Sequence, residues 1–174
     1  MALQKVLTIV SGVKKLVTLA ISSSAGSGDA DKIPALDANG RLDTTFMPVG
    51  IGAPTASILA SEALTAGNWV NVYNNTGTPN VRKADATVAG KECNGFVLAN
   101  VNNAANATVY FDGINTQCTS LTAGLRYFLN TTAGGEIVQA SAPSALNNIQ
   151  QELGEAISTT AIVFQPKEPI TIAA

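Results

Sequence analysis

Leu64-Thr65-Ala66-Gly67-Asn68-Trp69-Val70-Asn71-Val72-Tyr73-Asn74 and Leu121-Thr122-Ala123-Gly124-Leu125-Arg126-Tyr127-Phe128-Leu129-Asn130 are two copies of one pattern. Each opens on Leu-Thr-Ala-Gly, runs through strand-forming residues and closes on turn residues, Asn75-Thr76-Gly77 in one and Thr131-Thr132-Ala133-Gly134 in the other. Further on, Gly95-Phe96-Val97-Leu98 and Gly154-Glu155-Ala156-Ile157 form a second echo. Thr108-Val109-Tyr110-Phe111 and Ala161-Ile162-Val163-Phe164 follow them as β-branched and aromatic runs. Self-similarity of this kind is an architecture signal, and two copies are too few for a solenoid, which needs about three stacked units. The pattern predicts two related halves closing one β-barrel or β-sandwich.

Working outward, the strands expected in residues 54–174 are Thr55–Leu59, Trp69–Tyr73, Val81–Ala84, Phe96–Val101, Thr108–Phe111, Arg126–Leu129, Ile137–Gln139, Glu155–Ser158, Ala161–Phe164 and Ile170–Ile172. Short strands between Gly- and Asn-rich turns at this spacing indicate an all-β barrel or sandwich. Trp69, Tyr73, Phe96, Tyr110, Tyr127, Phe128 and Phe164 are its large core or interface residues. Residues 143–153 read either as a loop with one helical turn or as an irregular strand from Ile149 to Leu153.

Two further zones precede this domain. Residues 1–22 hold the runs Lys5–Val10 and Val13–Leu19 around Ser11-Gly12, a two-residue hairpin signal. A helix is the competing reading, opposed by Gly12 and the Val/Thr content. An isolated hairpin is marginal in water, so this one needs a surface to pack on. Residues 23–53 begin with a Ser/Gly-rich linker and continue through isolated apolar residues between turns, the pattern of an extended arm. Its Ile, Leu, Phe and Met content is too high for plain disorder. Contacts with another chain are therefore expected at Val6, Leu7, Ile9, Leu16 and Val17 in the hairpin and at Ile33, Leu36, Leu42, Phe46, Met47 and Ile51 in the arm.

Composition removes several classes of function. The 174 residues are 46% hydrophobic and 13% charged, against a usual charged share of about 25%. Two explanations stay open: a surface largely covered by other subunits, or one dressed in Asn, Thr and Ser. The net charge is −2 and no basic run exceeds Lys14-Lys15, so a phosphate-neutralising patch for nucleic acid is not expected. There is no histidine, which removes the commonest general base, the commonest zinc ligand and the Ser-His-Asp and Cys-His arrangements.

Cys93 and Cys118 lack metal-site spacing; they are either two buried thiols or a disulfide. Asp37-Ala38-Asn39-Gly40 has the start of a calcium loop without its remaining oxygen ligands, and a turn is the better reading. Lys83, Asp85 and Lys91 are close enough in sequence for a surface ion-pair network. The Asn-x-Thr triplets at Asn74, Asn106 and Asn130 read as turns. Lys14-Lys15 followed by Leu16–Ile21 imitates a secretory signal, but its apolar run of about six falls short of the usual 7–15. No stretch approaches the roughly 18 apolar residues of a membrane span. The expectation is a soluble, unprocessed, non-enzymatic protein with no cofactor and no metal.

Asp31-Lys32-Ile33-Pro34-Ala35-Leu36-Asp37-Ala38-Asn39-Gly40-Arg41-Leu42-Asp43, continuing to Phe46-Met47-Pro48-Val49-Gly50-Ile51-Gly52, resembles a linker of tailed-bacteriophage structural proteins. Arg82-Lys83-Ala84-Asp85-Ala86-Thr87, Gly95-Phe96-Val97-Leu98 and Leu121–Leu129 are similar to the β-domain of phage capsid decoration, or cement, proteins. The resemblance spans about residues 30 to 165. It implies a β-domain on the outside of the phage head, assembled in the host cytoplasm, often trimeric, bridging major capsid protein subunits, with no active site. A tail-fibre or receptor-binding module is the alternative, favoured if Trp69 or Tyr127 offers an exposed aromatic plane to a sugar.

Overall fold

The computed structural model describes residues 5–10, 13–18, 20–30, 32–38, 40–47 and 53–173. The chain divides into two compact units, Met1–Gly52 and Ala53–Ala174, and each is treated by itself.

In the first unit, β1 (Lys5–Val10) and β2 (Val13–Thr18) pair antiparallel from Lys5↔Thr18 to Val10↔Val13. This is the hairpin that the Ser11-Gly12 break predicts. The rest has little regular structure among the described residues. Strands β3 (Ala20–Ile21) and β4 (Ile33–Pro34) pair in parallel, and single 3-10 turns cover Ser27–Asp29 and Thr44–Phe46.

Side-chain acceptors hold these turns. Asp29 caps the Ala25 amide and meets the Lys32 ammonium. Asp43 accepts from the backbone N–H and hydroxyl of Thr45, and the Thr45 hydroxyl oxygen accepts from the Ser24 amide at 2.7 Å. At the expected Asp37 turn, the Gly40 amide donates to the Asp37 carbonyl, and the Arg41 amide to the Asp37 carboxylate. Gly40 has φ +73°, the left-handed conformation that favours glycine.

The second unit is all-β. Its strands are β5 (Thr55–Ala60), β6 (Trp69–Asn75), β7 (Thr78–Lys83), β8 (Gly95–Phe96), β9 (Asn106–Tyr110), β10 (Gly113–Asn115), β11 (Arg126–Leu129), β12 (Glu136–Val138), β13 (Ile149–Gln150), β14 (Glu152–Ala156), β15 (Ile162–Phe164) and β16 (Ile170–Thr171). Strands β5 to β9 form a closed barrel, and β10, β15, β14, β11 and β12 form an open sheet in that order. The short pair β13 and β16 lies outside both.

The duplication read from the sequence is a duplication of topology. Strand order β5-β9-β8-β6-β7 in the barrel matches β10-β15-β14-β11-β12 in the sheet, and the cross-strand register agrees as well. Val70 pairs with Gly95 and Trp69 with Phe96; at the corresponding places Tyr127 pairs with Gly154 and Arg126 with Glu155. The two Leu-Thr-Ala-Gly stretches make the same β-turn. The Asn68 amide donates to the Thr65 carbonyl and the Leu125 amide to the Thr122 carbonyl, around Gly67 (φ +91°) and Gly124 (φ +81°). A positive φ at the third turn position is what type II requires.

The sequence pattern predicts two related halves closing one barrel or sandwich; the two related halves are present, and barrel closure falls within the first of them. There β5 runs six residues and pairs in parallel with β7 through Leu59↔Asn80 and Ala60↔Val81. The corresponding β10 and β12 have three residues each and do not pair.

Period-2 alternation separates two cores. Ile58, Ala60, Leu64, Val70, Val81, Val97, Ala107 and Val109 fill the barrel. Their neighbours Trp69 and Phe96 face outward and join Leu121, Tyr127, Leu129, Leu153, Ile162 and Phe164 in a second core that binds barrel to sheet. Trp69, Phe96 and Phe164 meet with centroids 5.3 to 5.8 Å apart, contacts each worth about 0.5–1.5 kcal/mol beyond the buried area. Of the predicted large core residues, Trp69, Phe96, Tyr127 and Phe164 are buried, while Tyr73, Tyr110 and Phe128 are half-buried.

Candidate functional site

The first unit places several of the predicted contact residues in solvent. Ile33 is 44% exposed, Leu36 55%, Leu42 37% and Met47 41%, while Phe46 is half-buried beside the 3-10 turn it ends. Val6, Leu7, Ile9, Leu16 and Val17 lie on the hairpin strands, with Val6 opposite Val17 and Leu7 opposite Leu16; their side-chain surroundings, and Ile51 altogether, lie outside the described residues. Apolar side chains left singly on a surface need no explanation. Here four fall within residues 33–47, on a backbone held by local turns, and among the described residues of this unit none is buried. That combination leaves them displayed.

The second unit contributes a group that the sequence did not single out. Glu136, the first residue of β12, is half-buried where β12 meets the barrel. Its carboxylate accepts the Trp69 indole N–H at 2.8 Å, and the Cys118 thiol faces the same carboxylate. Burial holds the Glu136 pKa above the usual carboxylate range, against the lowering effect of the indole bond. The cross-strand register shows what Glu136 replaces. Leu129 pairs with Glu136 as Val72 pairs with Val81, so Glu136 occupies the place of a fully buried barrel valine.

The cysteines are free and buried. The Cys93 thiol donates to the Gly95 carbonyl, and burial pushes its pKa up to about 12. Burial raises Cys118 further, with the Glu136 charge adding to it. Neither is a thiolate near neutral pH, so neither has the character of a nucleophile.

Lys83 reaches Glu62 at 4.0 Å rather than Asp85, whose carboxylate accepts from the amide and hydroxyl of Thr87. Trp69 and Tyr127 are buried, so neither offers the open ring face that sugar stacking requires. Among the described residues no cluster of three or more His, Cys, Asp or Glu could hold a metal, and no helix is long and apolar enough to cross a membrane. No protein-family model, no curated protein and no solved structure matches the chain.

Proposed function

We propose that the chain is a non-enzymatic structural protein of a phage virion, a decoration protein that binds the outside of the head and bridges major capsid protein subunits. The observation that carries this reading is the set of exposed apolar residues Ile33, Leu36, Leu42 and Met47 on the first unit, joined to the resemblance of residues 30–165 to such proteins. A ligand that binds the assembled shell and not its free or distorted subunits stabilises the shell by mass action. Several copies held in one oligomer, a trimer on this reading, add avidity without strong individual contacts. The second unit, with its closed barrel and aromatic joint, supplies a rigid body for the attachment segment to anchor.

Binding to purified heads tests the proposal. The full chain and a quadruple variant with Ile33, Leu36, Leu42 and Met47 each changed to Asp are mixed with undecorated heads and sedimented. Co-sedimentation of the parent at hundreds of copies per particle, with loss in the variant, is the expected result. A few copies per virion would point instead to a tail fibre. Full binding by the variant would overturn the attachment role of this segment.

A further inference from the structure

The open half of the second unit contains a cavity where the closed half has a strand ladder. In the barrel, Leu59 and Ala60 close onto Asn80 and Val81 by parallel pairing. Counting on from Ile114, which pairs with Val163 as Thr55 pairs with Tyr110, Cys118 and Thr119 fall at the places of Leu59 and Ala60. On the other side, Gly135 and Glu136 fall at the places of Asn80 and Val81. The seam is therefore ajar. A cavity of ≈ 360 Å³ opens there, lined by Asn68, Gln117, Cys118, Thr119, Gly134 and Glu136 among others.

The lining carries one charge, and its neighbours are neutral. The Glu136 carboxylate meets an indole N–H and a thiol, and among the described residues no Lys or Arg forms an ion pair with it. Lys83, which passes beside Gly134, directs its ammonium to Glu62. A partly buried carboxylate without a cation is costly to keep where a valine stands in the related half.

We propose that this seam cavity binds a primary ammonium group, supplied by a lysine side chain of a partner protein or by a free amine, with Glu136 as its counter-charge. A divalent ion suits the site poorly: one carboxylate and neutral oxygens fall short of the six to eight hard ligands calcium takes, and magnesium uses one or two carboxylates with bound phosphate. A guanidinium prefers both oxygens of a carboxylate in a planar fork. Here the Trp69 indole already occupies Oε2. An ammonium needs one lone pair from Glu136 and can direct its other hydrogens to the side-chain oxygens of Gln117 and Thr119, since the Asn68 carboxamide oxygen already accepts the Thr65 amide.

Trp69 is the single tryptophan, so its indole ¹H–¹⁵N resonance reports on the Glu136 carboxylate in the full-length protein. The titrants are ethylammonium chloride and N-acetyl-lysine methylamide, each against sodium chloride at matched ionic strength. A ligand as small as ethylammonium saturates at about millimolar concentration at best. The expected result is a saturable shift with amine that sodium chloride does not reproduce, lost in Glu136→Gln protein whose remaining spectrum is unchanged. A shift with both titrants identifies a lysine side chain as an admissible occupant; a shift with ethylammonium alone restricts the site to free amines. No shift beyond that of sodium chloride in the parent protein, or an undiminished shift in Glu136→Gln, would overturn the proposal. The readout is independent of head binding, so it stands or falls apart from the attachment role of the first unit.

Discussion

Gly95 and Gly154 stand in the same relation to the strand beside each of them. A Cβ on Gly95 would run into the main-chain carbonyl oxygen of Tyr110, and a Cβ on Gly154 into that of Val163. Tyr110 and Val163 are themselves equivalent, since Phe96 pairs with the first and Glu155 with the second. The glycine is thus a fixed part of the repeated unit, needed because neighbouring backbones approach too closely for a side chain. Gly154 also has φ +147°, inside the region that L residues avoid. Gly154→Ala should therefore destabilise the second unit by about 3 kcal/mol, at the upper end of common point effects. Gly95→Ala, with the clash and no unfavourable φ, should cost less. Urea denaturation followed by Trp69 fluorescence gives both values and their order.

Glu136 makes the stability of the second unit depend on pH in an unusual direction for a carboxylate. Burial raises its folded-state pKa above the unfolded value, so the folded state holds the proton more tightly. Its contribution is fully present below the unfolded pKa and is lost as pH rises through the folded pKa. Glu136→Gln keeps an oxygen for the Trp69 N–H and removes the buried charge. The variant should be more stable than the parent at pH 7, and the difference should shrink as the pH is lowered towards 4. Melting temperatures of both proteins from pH 4 to 8 check the sign; a variant less stable at pH 7 would show that the charge is favourable where it sits.

The thiols give a third expectation. Cys93 is buried with its pKa pushed up to about 12, and Cys118 is raised by burial and by Glu136. At pH 8 the native protein should react with neither thiol of the pair on the timescale on which small-molecule thiols react fully. In denaturing urea both should react. Ellman's reagent counts them, and fast labelling of one thiol under native conditions would mean that its strand opens locally.

Local chemistry carried most of the strand pattern, while closure depended on geometry in space. The hairpin pairing Val10↔Val13 follows from a two-residue break between β-branched runs, and the repeated turn follows from Leu-Thr-Ala-Gly. By contrast, whether a five-stranded set closes depends on strand length and on what meets at the seam, Val81 in one half and Glu136 in the other. The two sides of each seam, Leu59-Ala60 with Asn80-Val81 and Cys118-Thr119 with Gly135-Glu136, are separated by other strands, so no local pattern pairs them.

Strand ends were misplaced for similar reasons. The run from Phe96 to Val101 reads as one strand, but the chain leaves the ladder after Phe96 and Val101 bridges only Leu64. Strand β10 is too short to show alternation, and Ile149 begins the irregular strand reading of residues 143–153 rather than the helical one. The exposure of Ile33, Leu36, Leu42 and Met47 was legible as isolated apolar residues between turns. Glu136 was not, because its meaning comes from Trp69 and Cys118, which lie far from it in the chain.

The β6–β7 hairpin offers a stabilising substitution. Asn75 pairs with Thr78, leaving Thr76 and Gly77 as a two-residue loop with φ +50° and +93°. Positive φ at both central positions is the type I′ geometry, which matches the twist of the flanking strands and favours Asn-Gly. Gly77 meets the requirement, and its amide donates to the Asn74 carboxamide oxygen at 2.7 Å. Thr76 does not, because a β-branched side chain is strained in the left-handed region. Thr76→Asn relieves that strain without touching the Asn74 bond, and the site is exposed, so no core contact is lost. The gain should be about 0.5–1 kcal/mol, within the range of single stabilising changes. Thr76→Val, which keeps the branching and removes the hydroxyl, should give no gain. Chemical denaturation of the three proteins separates the two; equal stability of the Asn and Val variants would show that the turn residue is indifferent to backbone conformation.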